Sequence, residues 1–82
     1  YIIQGIITFH GIPVKSLVRF YRNYDGEFIS ETWSDMNDGT YKMKFVNNDL
    51  IDIVVFNPND TSMIYRTFGP VKPYEVPDPF DV

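Results

Sequence analysis

Asp35, Asn37 and Asp38, in the stretch Ser34–Thr40, bring three oxygen-bearing side chains close together just before Gly39. Such side chains at alternate positions are what a calcium loop uses. An EF-hand requires Asp-x-(Asp/Asn)-x-(Asp/Asn)-Gly and a glutamate at the twelfth place, so that the oxygens converge on one ion. Asp35 and Asn37 fill the first and third places. The fifth falls on Gly39, which has no side chain, the sixth on Thr40 and the twelfth on Val46. A turn asks for less. Asp35 and Asn37 can bond their own backbone, and Asp38-Gly39 can supply a residue at positive φ. The stretch is therefore expected to be a turn between strands, and no metal or other cofactor is expected.

Catalytic chemistry finds little support. The single histidine, His10, stands before Gly11 in a turn, where a solvated side chain is the ordinary outcome. Ser16, Ser30, Ser34 and Ser62 are scattered, and neither a Gly-x-Ser-x-Gly elbow nor a phosphate-cradling glycine loop is present. A chain of 82 residues is also expected to leave little room for a pocket of several hundred Å3. An enzyme is not expected. Trp33 and Tyr21 are the remaining residues of interest. If buried, Trp33 is a core anchor, the commoner fate. If exposed beside Tyr21 and Phe56, the three form a sugar-stacking platform or a protein-contact patch, and of these uses core or subunit interface is favoured over sugar.

The elements that position these residues read as strands. Ile2–Phe9 is apolar and β-branched around Gly5, and His10–Pro13 breaks it. In Val14–Arg22, Ser16, Val18 and Phe20 share one face while Leu17, Arg19 and Tyr21 share the other. Asp25-Gly26 marks a hairpin, and Glu27–Ser34 returns. Within that strand Ile29, Glu31 and Trp33 share one face, and Phe28, Ser30 and Thr32 the other. In Thr40–Val46, Tyr41, Met43 and Phe45 point in while Lys42 and Lys44 point out. Leu50–Phe56 sets Ile51, Ile53 and Val55 on one face, and Ser62–Phe68 is a last strand. No segment carries the i, i+3, i+4, i+7 pattern, so no substantial helix is expected. The fold class expected is all-β: an antiparallel Greek-key β-sandwich, immunoglobulin-like, of about seven short strands.

Composition limits the partners. Hydrophobic residues make up 44% and aromatics 17%, which is globular composition. No cysteine is present, so disulfides and thiolate metal sites are excluded. The net charge of −4 argues against nucleic acid as a partner, and no apolar run approaches the ~20 residues that cross a bilayer. Tyr1 in place of Met points to a start that was processed, trimmed or cut from a longer polypeptide.

Residues 69–82 differ from the rest. They hold four of the six prolines, Pro70, Pro73, Pro77 and Pro79, and set Lys72 against Glu75, Asp78 and Asp81. Proline donates nothing to a sheet ladder and favours polyproline II. Residues 1–68 are thus expected to form the sandwich domain and residues 69–82 a Pro-rich extended arm. That arm is either a frayed terminus or a docking element whose Val71, Tyr74, Val76 and Phe80 bind a neighbouring subunit.

Gly5-Ile6-Ile7, Gly11-Ile12-Pro13-Val14, Phe20-Tyr21-Arg22, Gly26-Glu27, Ser34-Asp35 and Gly39-Thr40-Tyr41 together make a pattern of turns and strands over residues 5 to about 73. The pattern resembles the small transthyretin-like or carboxypeptidase-regulatory-like β-sandwich modules, in the version found in tailed-bacteriophage virion proteins. The resemblance implies a non-enzymatic structural component of a virion (tail, collar or capsid-associated), located in the phage particle. Its partners would be other virion proteins and copies of itself, in a symmetric assembly. The alternatives are a carbohydrate- or receptor-binding module, extracellular if on a surface, or a spacer in a larger surface protein.

Overall fold

The computed structural model describes residues 1–74. Among them are eight strands and no helix: β1 (Ile2–Ile6), β2 (Thr8–Phe9), β3 (Ile12–Pro13), β4 (Leu17–Arg22), β5 (Phe28–Trp33), β6 (Thr40–Lys44), β7 (Ile51–Asn57) and β8 (Asp60–Val71). They form antiparallel sheets. One is four-stranded in the order β5-β4-β7-β8, one pairs β1 with β6, and a small one pairs β2 with β3.

The period-two pattern explains the packing. Val18 and Phe20 of β4, Ile51, Ile53 and Val55 of β7, and Ile3 and Ile7 of the N-terminal segment form one buried cluster. Tyr41, Met43 and Phe45 pack against it from the β6 side. Phe20, fully buried, bridges the two larger sheets, with ring centroids 6.1 Å from Tyr41 and 5.5 Å from Phe45. Aliphatic side chains buried to this degree contribute about 1.5–3 kcal/mol each, which is how so thin a core holds two sheets together. The six residues expected to meet in one layer, Tyr41, Met43, Phe45, Ile51, Ile53 and Val55, do so.

Three departures have physical causes. The expected strand Ile2–Phe9 is interrupted at Ile7, whose N–H donates to the Gly39 carbonyl at 2.8 Å and whose carbonyl accepts from Val14 at 3.3 Å. The chain thereby leaves β1 and folds into the β2–β3 hairpin, with His10 and Gly11 both at positive φ. The last strand runs to Val71 rather than Phe68. β8 lies at a sheet edge, where a proline need not interrupt a ladder, so Pro70 is accommodated and Val71 pairs with Ile51. The expected boundary between residues 68 and 69 thus falls inside β8. Beyond it, Pro73 is buried, and Tyr74 exchanges two backbone hydrogen bonds with Ile2, at 2.9 and 3.0 Å.

The Asp35–Gly39 loop is a turn held by its own oxygens. Asp35 Oδ1 accepts from the Asn37 N–H at 2.7 Å and from the Asp38 N–H at 3.3 Å. Asp38 Oδ1 accepts from the Thr40 N–H at 2.9 Å and from its hydroxyl at 2.7 Å, and these bonds hold its carboxyl below the usual carboxylate range. Gly39 sits at φ +73°, pressed against the Ile7 carbonyl, so no larger residue fits there without strain.

Candidate protein-interaction surface

β4 turns Val18 and Phe20 into the core, so Leu17, Arg19 and Tyr21 point to the outer face of the four-stranded sheet. Across the ladders these three stand beside Trp33, Glu31 and Phe28 of β5. On the other side, Arg19 pairs with Val54 and Tyr21 with Asp52 of β7. The neighbouring Phe56 pairs with Ile64 of β8. The outer face therefore carries an aromatic and aliphatic strip across all four strands. Trp33 is 47% exposed, Phe28 49% and Ile64 59%. Exposed apolar side chains gathered on one sheet face, with charged groups among them, make this the candidate contact surface.

Cations are interleaved with the rings. The Arg19 guanidinium lies 5.2 Å from the Phe56 centroid and 5.9 Å from that of Phe28, while its Nε donates to Glu31 Oε1 at 2.9 Å. Glu31 raises the Arg19 pKa further above its ordinary value, so the group stays charged. Tyr21 meets Phe28 edge-to-face at 5.8 Å, and the Lys15 Nζ sits 5.4 Å from the Trp33 ring. Aromatic side chains with an interleaved arginine are the composition of energetic centres in protein interfaces.

A second feature adjoins the first. β5 and β6 are the edge strands of different sheets, and they approach each other without joining. Between Trp33 and Asp35 on one side and Tyr41, Lys42, Gln4 and Ile6 on the other lies an open groove of about 760 Å3. Further along the same side, Ile29, Met43, Phe45 and Ile51 line a hollow of about 310 Å3. The expectation that so short a chain leaves little room for a hollow of this size is corrected here, because the space lies between two sheet edges rather than inside the core. Burial raises the Tyr41 pKa in the groove wall.

Comparison with protein families, with curated proteins and with solved structures yields no match.

The residues singled out in the sequence are distributed as follows. Trp33 is exposed, at the edge of the outer face, and not a core anchor. Tyr21 and Phe56 share that face and are half-buried. Tyr74 is exposed at its side chain while its backbone is tied to Ile2. Val71 is half-buried against the core of its own chain. Val76 and Phe80 lie outside the described residues. His10 is exposed in the β2–β3 turn, with its ring 4.3 Å from that of Phe9.

Sequence reasoning missed Phe28, which it assigned to the face of Ser30 and Thr32. The register between β4 and β5 shifts at Phe20/Tyr21, and this bulge moves Phe28 to the Arg19 face. The alternation placed Arg19 on the face opposite Val18 and Phe20, but its contacts with Phe28 and Phe56 depend on which strands flank β4.

Proposed function

We propose that this chain is a non-enzymatic protein-interaction module, a Greek-key β-sandwich of immunoglobulin-like or transthyretin-like type. We further propose that it serves as a structural component of a bacteriophage virion, contacting copies of itself and other virion proteins. The order β5-β4-β7-β8 facing β1-β6, with the chain passing between sheets after β5 and again after β6, is consistent with that architecture. The observation that carries the functional reading is the exposed apolar strip of Trp33, Phe28 and Ile64 around Arg19. Covering it with a like surface removes apolar area from water, and its charged pair, Arg19 and Glu31, fixes the relative orientation.

The test is sedimentation velocity on the wild-type chain and on Phe28→Lys/Ile64→Lys. Concentration-dependent association lost in the variant, with both proteins folded, supports the reading; a wild type that stays monomeric refutes it. The virion role is tested separately, by mass spectrometry of purified particles for peptides of this chain.

One observation favours a second reading, carbohydrate binding. Trp33 borders a groove that also offers Gln4, Asp35 and Lys42, an aromatic plane beside hydrogen-bonding groups. A glycan array probed with the chain distinguishes the two: hits abolished by Trp33→Ala support sugar binding, and an array without hits removes it.

A further inference from the structure

The β6 strand has one bonded edge and one open edge, and backbone parity says which residues face which. Tyr1 and Phe45 exchange hydrogen bonds at 2.7 and 3.3 Å, and the Ile7 N–H donates to the Gly39 carbonyl at 2.8 Å. In an antiparallel ladder bonded pairs alternate with unbonded ones. Lys42 and Lys44, opposite Gln4 and Ile2, therefore direct their N–H and C=O groups away from β1. Among the described residues nothing accepts or donates there, whereas both backbone groups of Thr40 are taken, its N–H by Asp38 Oδ1 and its carbonyl by the Asp35 N–H. β6 also keeps an unshifted register along its length, while β5 pairs through a bulge and β8 through three shifts. Lys42 borders the open groove, and Met43, Lys44 and Phe45 border the hollow, so the strand faces unfilled space along its length. A regular open edge of this kind is a template for strand addition.

We infer that the open edge of β6 binds an extended segment of another protein, as an antiparallel strand with the pattern apolar-acidic-apolar-acidic-apolar. In an antiparallel pair, residues directly opposite each other lie on the same face of the sheet. The two segment residues that exchange hydrogen bonds with Lys44 and Lys42 thus stand on the lysine face. Both lysines are exposed, and among the described residues neither forms an ion pair. Acidic side chains in those two places meet opposite charge, and basic ones are repelled. The residues before, between and after them lie opposite Phe45, Met43 and Tyr41, on the other face. Those three are half-buried and pack against the core, and Ile29 and Ile51 line the hollow beside Met43 and Phe45. Apolar side chains placed there extend the core. Two carboxylates border the same space. Asp35 has its Oδ1 engaged by two backbone N–H groups, and Asp49 lies past the end of β6.

The chain does not carry this pattern itself, which assigns the segment to another protein. Of its 11 acidic residues only Asp25 and Glu27 stand two apart. Gly26 lies between them, and Arg22 pairs with both in the hairpin turn. Nor does β6 of a second copy fit, because antiparallel pairing of two such edges sets lysine against lysine. The edge lysines thus turn away strands like their own and select an acidic one. This edge is separate from the outer face of the four-stranded sheet, so the inference does not rest on the self-association proposed above.

The test is NMR of the isotope-labelled full chain titrated with the acetylated and amidated peptide Thr-Val-Glu-Val-Glu-Val-Thr. Shifts at the Lys42 and Lys44 amides are expected. N-methylation of both glutamates removes the bonding N–H groups and should weaken binding about tenfold or more. N-methylation of the first two valines, whose N–H groups point to the far edge, should leave binding within about twofold. A peptide with lysine in place of both glutamates should not bind. In the Lys42→Glu/Lys44→Glu chain, altered only at exposed positions, the preference should reverse, with the glutamate peptide lost and the lysine peptide gained. Phe28→Lys/Ile64→Lys should bind the glutamate peptide as the wild type does. Equal effects of the two methylation patterns, equal binding of the two peptides by the wild type, or no shift at Lys42 and Lys44 would overturn the inference. So would binding lost in a folded Phe28→Lys/Ile64→Lys, since the peptide would then sit on the outer face.

Discussion

Replacing Gly39 by alanine should be far more damaging than the same change at Gly11, and the difference can be worked out from the structure. Both glycines have positive φ, +73° and +80°. An alanine in that region costs about 1–2 kcal/mol of backbone strain at either site. At Gly11 nothing lies within 4 Å of the added Cβ, so the cost ends there. At Gly39 the Cβ overlaps the Ile7 carbonyl oxygen and comes within 3.3 Å of the Pro13 side chain. Backbone cannot swing aside as a side chain can. Relief requires the start of β6 to part from Ile7, which lengthens the Ile7–Gly39 hydrogen bond of 2.8 Å. That bond is worth about 1 kcal/mol, and overpacking adds about 1 kcal/mol or more. The strain common to both sites cancels in the comparison, leaving a difference of about 2 kcal/mol. For a domain of this size that corresponds to a melting temperature about 8–16 °C lower for Gly39→Ala than for Gly11→Ala, read by circular dichroism. Melting points within about 3 °C of each other would refute the argument and with it the close approach that sets β6 in place.

Other outcomes follow from the same geometry. Ser34 Oγ accepts from the Ser16 N–H at 2.8 Å and donates to the Val14 carbonyl at 2.6 Å in a buried setting. Ser34→Ala should therefore cost about 1–3 kcal/mol in a denaturant titration, by leaving that N–H without a partner. The Arg19–Glu31 pair is well exposed, so Arg19→Ala should change stability by less than about 1 kcal/mol while weakening self-association measured by sedimentation. Asp25 is held below its ordinary value of 3.8, first by Arg22 and then by the Glu27 N–H, and Asp38 and Asp60 are lowered by Thr40 and Ser62. A depressed folded pKa adds stability that is full above the ordinary value and lost as pH falls through the folded one. Melting temperature should thus hold steady at neutral pH and fall in acid below 3.8, with a shallower fall in Asp25→Asn. Trp33, 47% exposed, should be quenched readily by acrylamide in dilute protein, and the proposed self-association would protect it at high concentration.

The core was legible because burial on one face writes itself as period two. Tyr41, Met43 and Phe45, and likewise Ile51, Ile53 and Val55, could be assigned before any coordinates, and so could the turn at Asp35–Gly39, whose side chains bond their own backbone. What escaped depends on neighbours rather than on local pattern. Alternation in β5 divides its residues into two faces without saying which is buried, so Trp33 stayed open. Phe28 was misassigned because a bulge reverses parity, and a bulge arises from the match between two strands. The extension of β8 to Val71 was hidden by Pro70, a residue that excludes a strand from a sheet interior but not from an edge. The open groove was invisible for the same reason: which edges remain unpaired is a property of strand order.

The central claim is that the outer face of the four-stranded sheet exists to be covered by protein. Sedimentation equilibrium of the wild-type chain beside Phe28→Lys/Ile64→Lys tests it most directly. The account requires the apparent mass of the wild type to rise with concentration while the double variant stays at 9.6 kDa with an unchanged melting temperature. A wild type that holds the monomer mass throughout, or a double variant that associates as strongly, would contradict it.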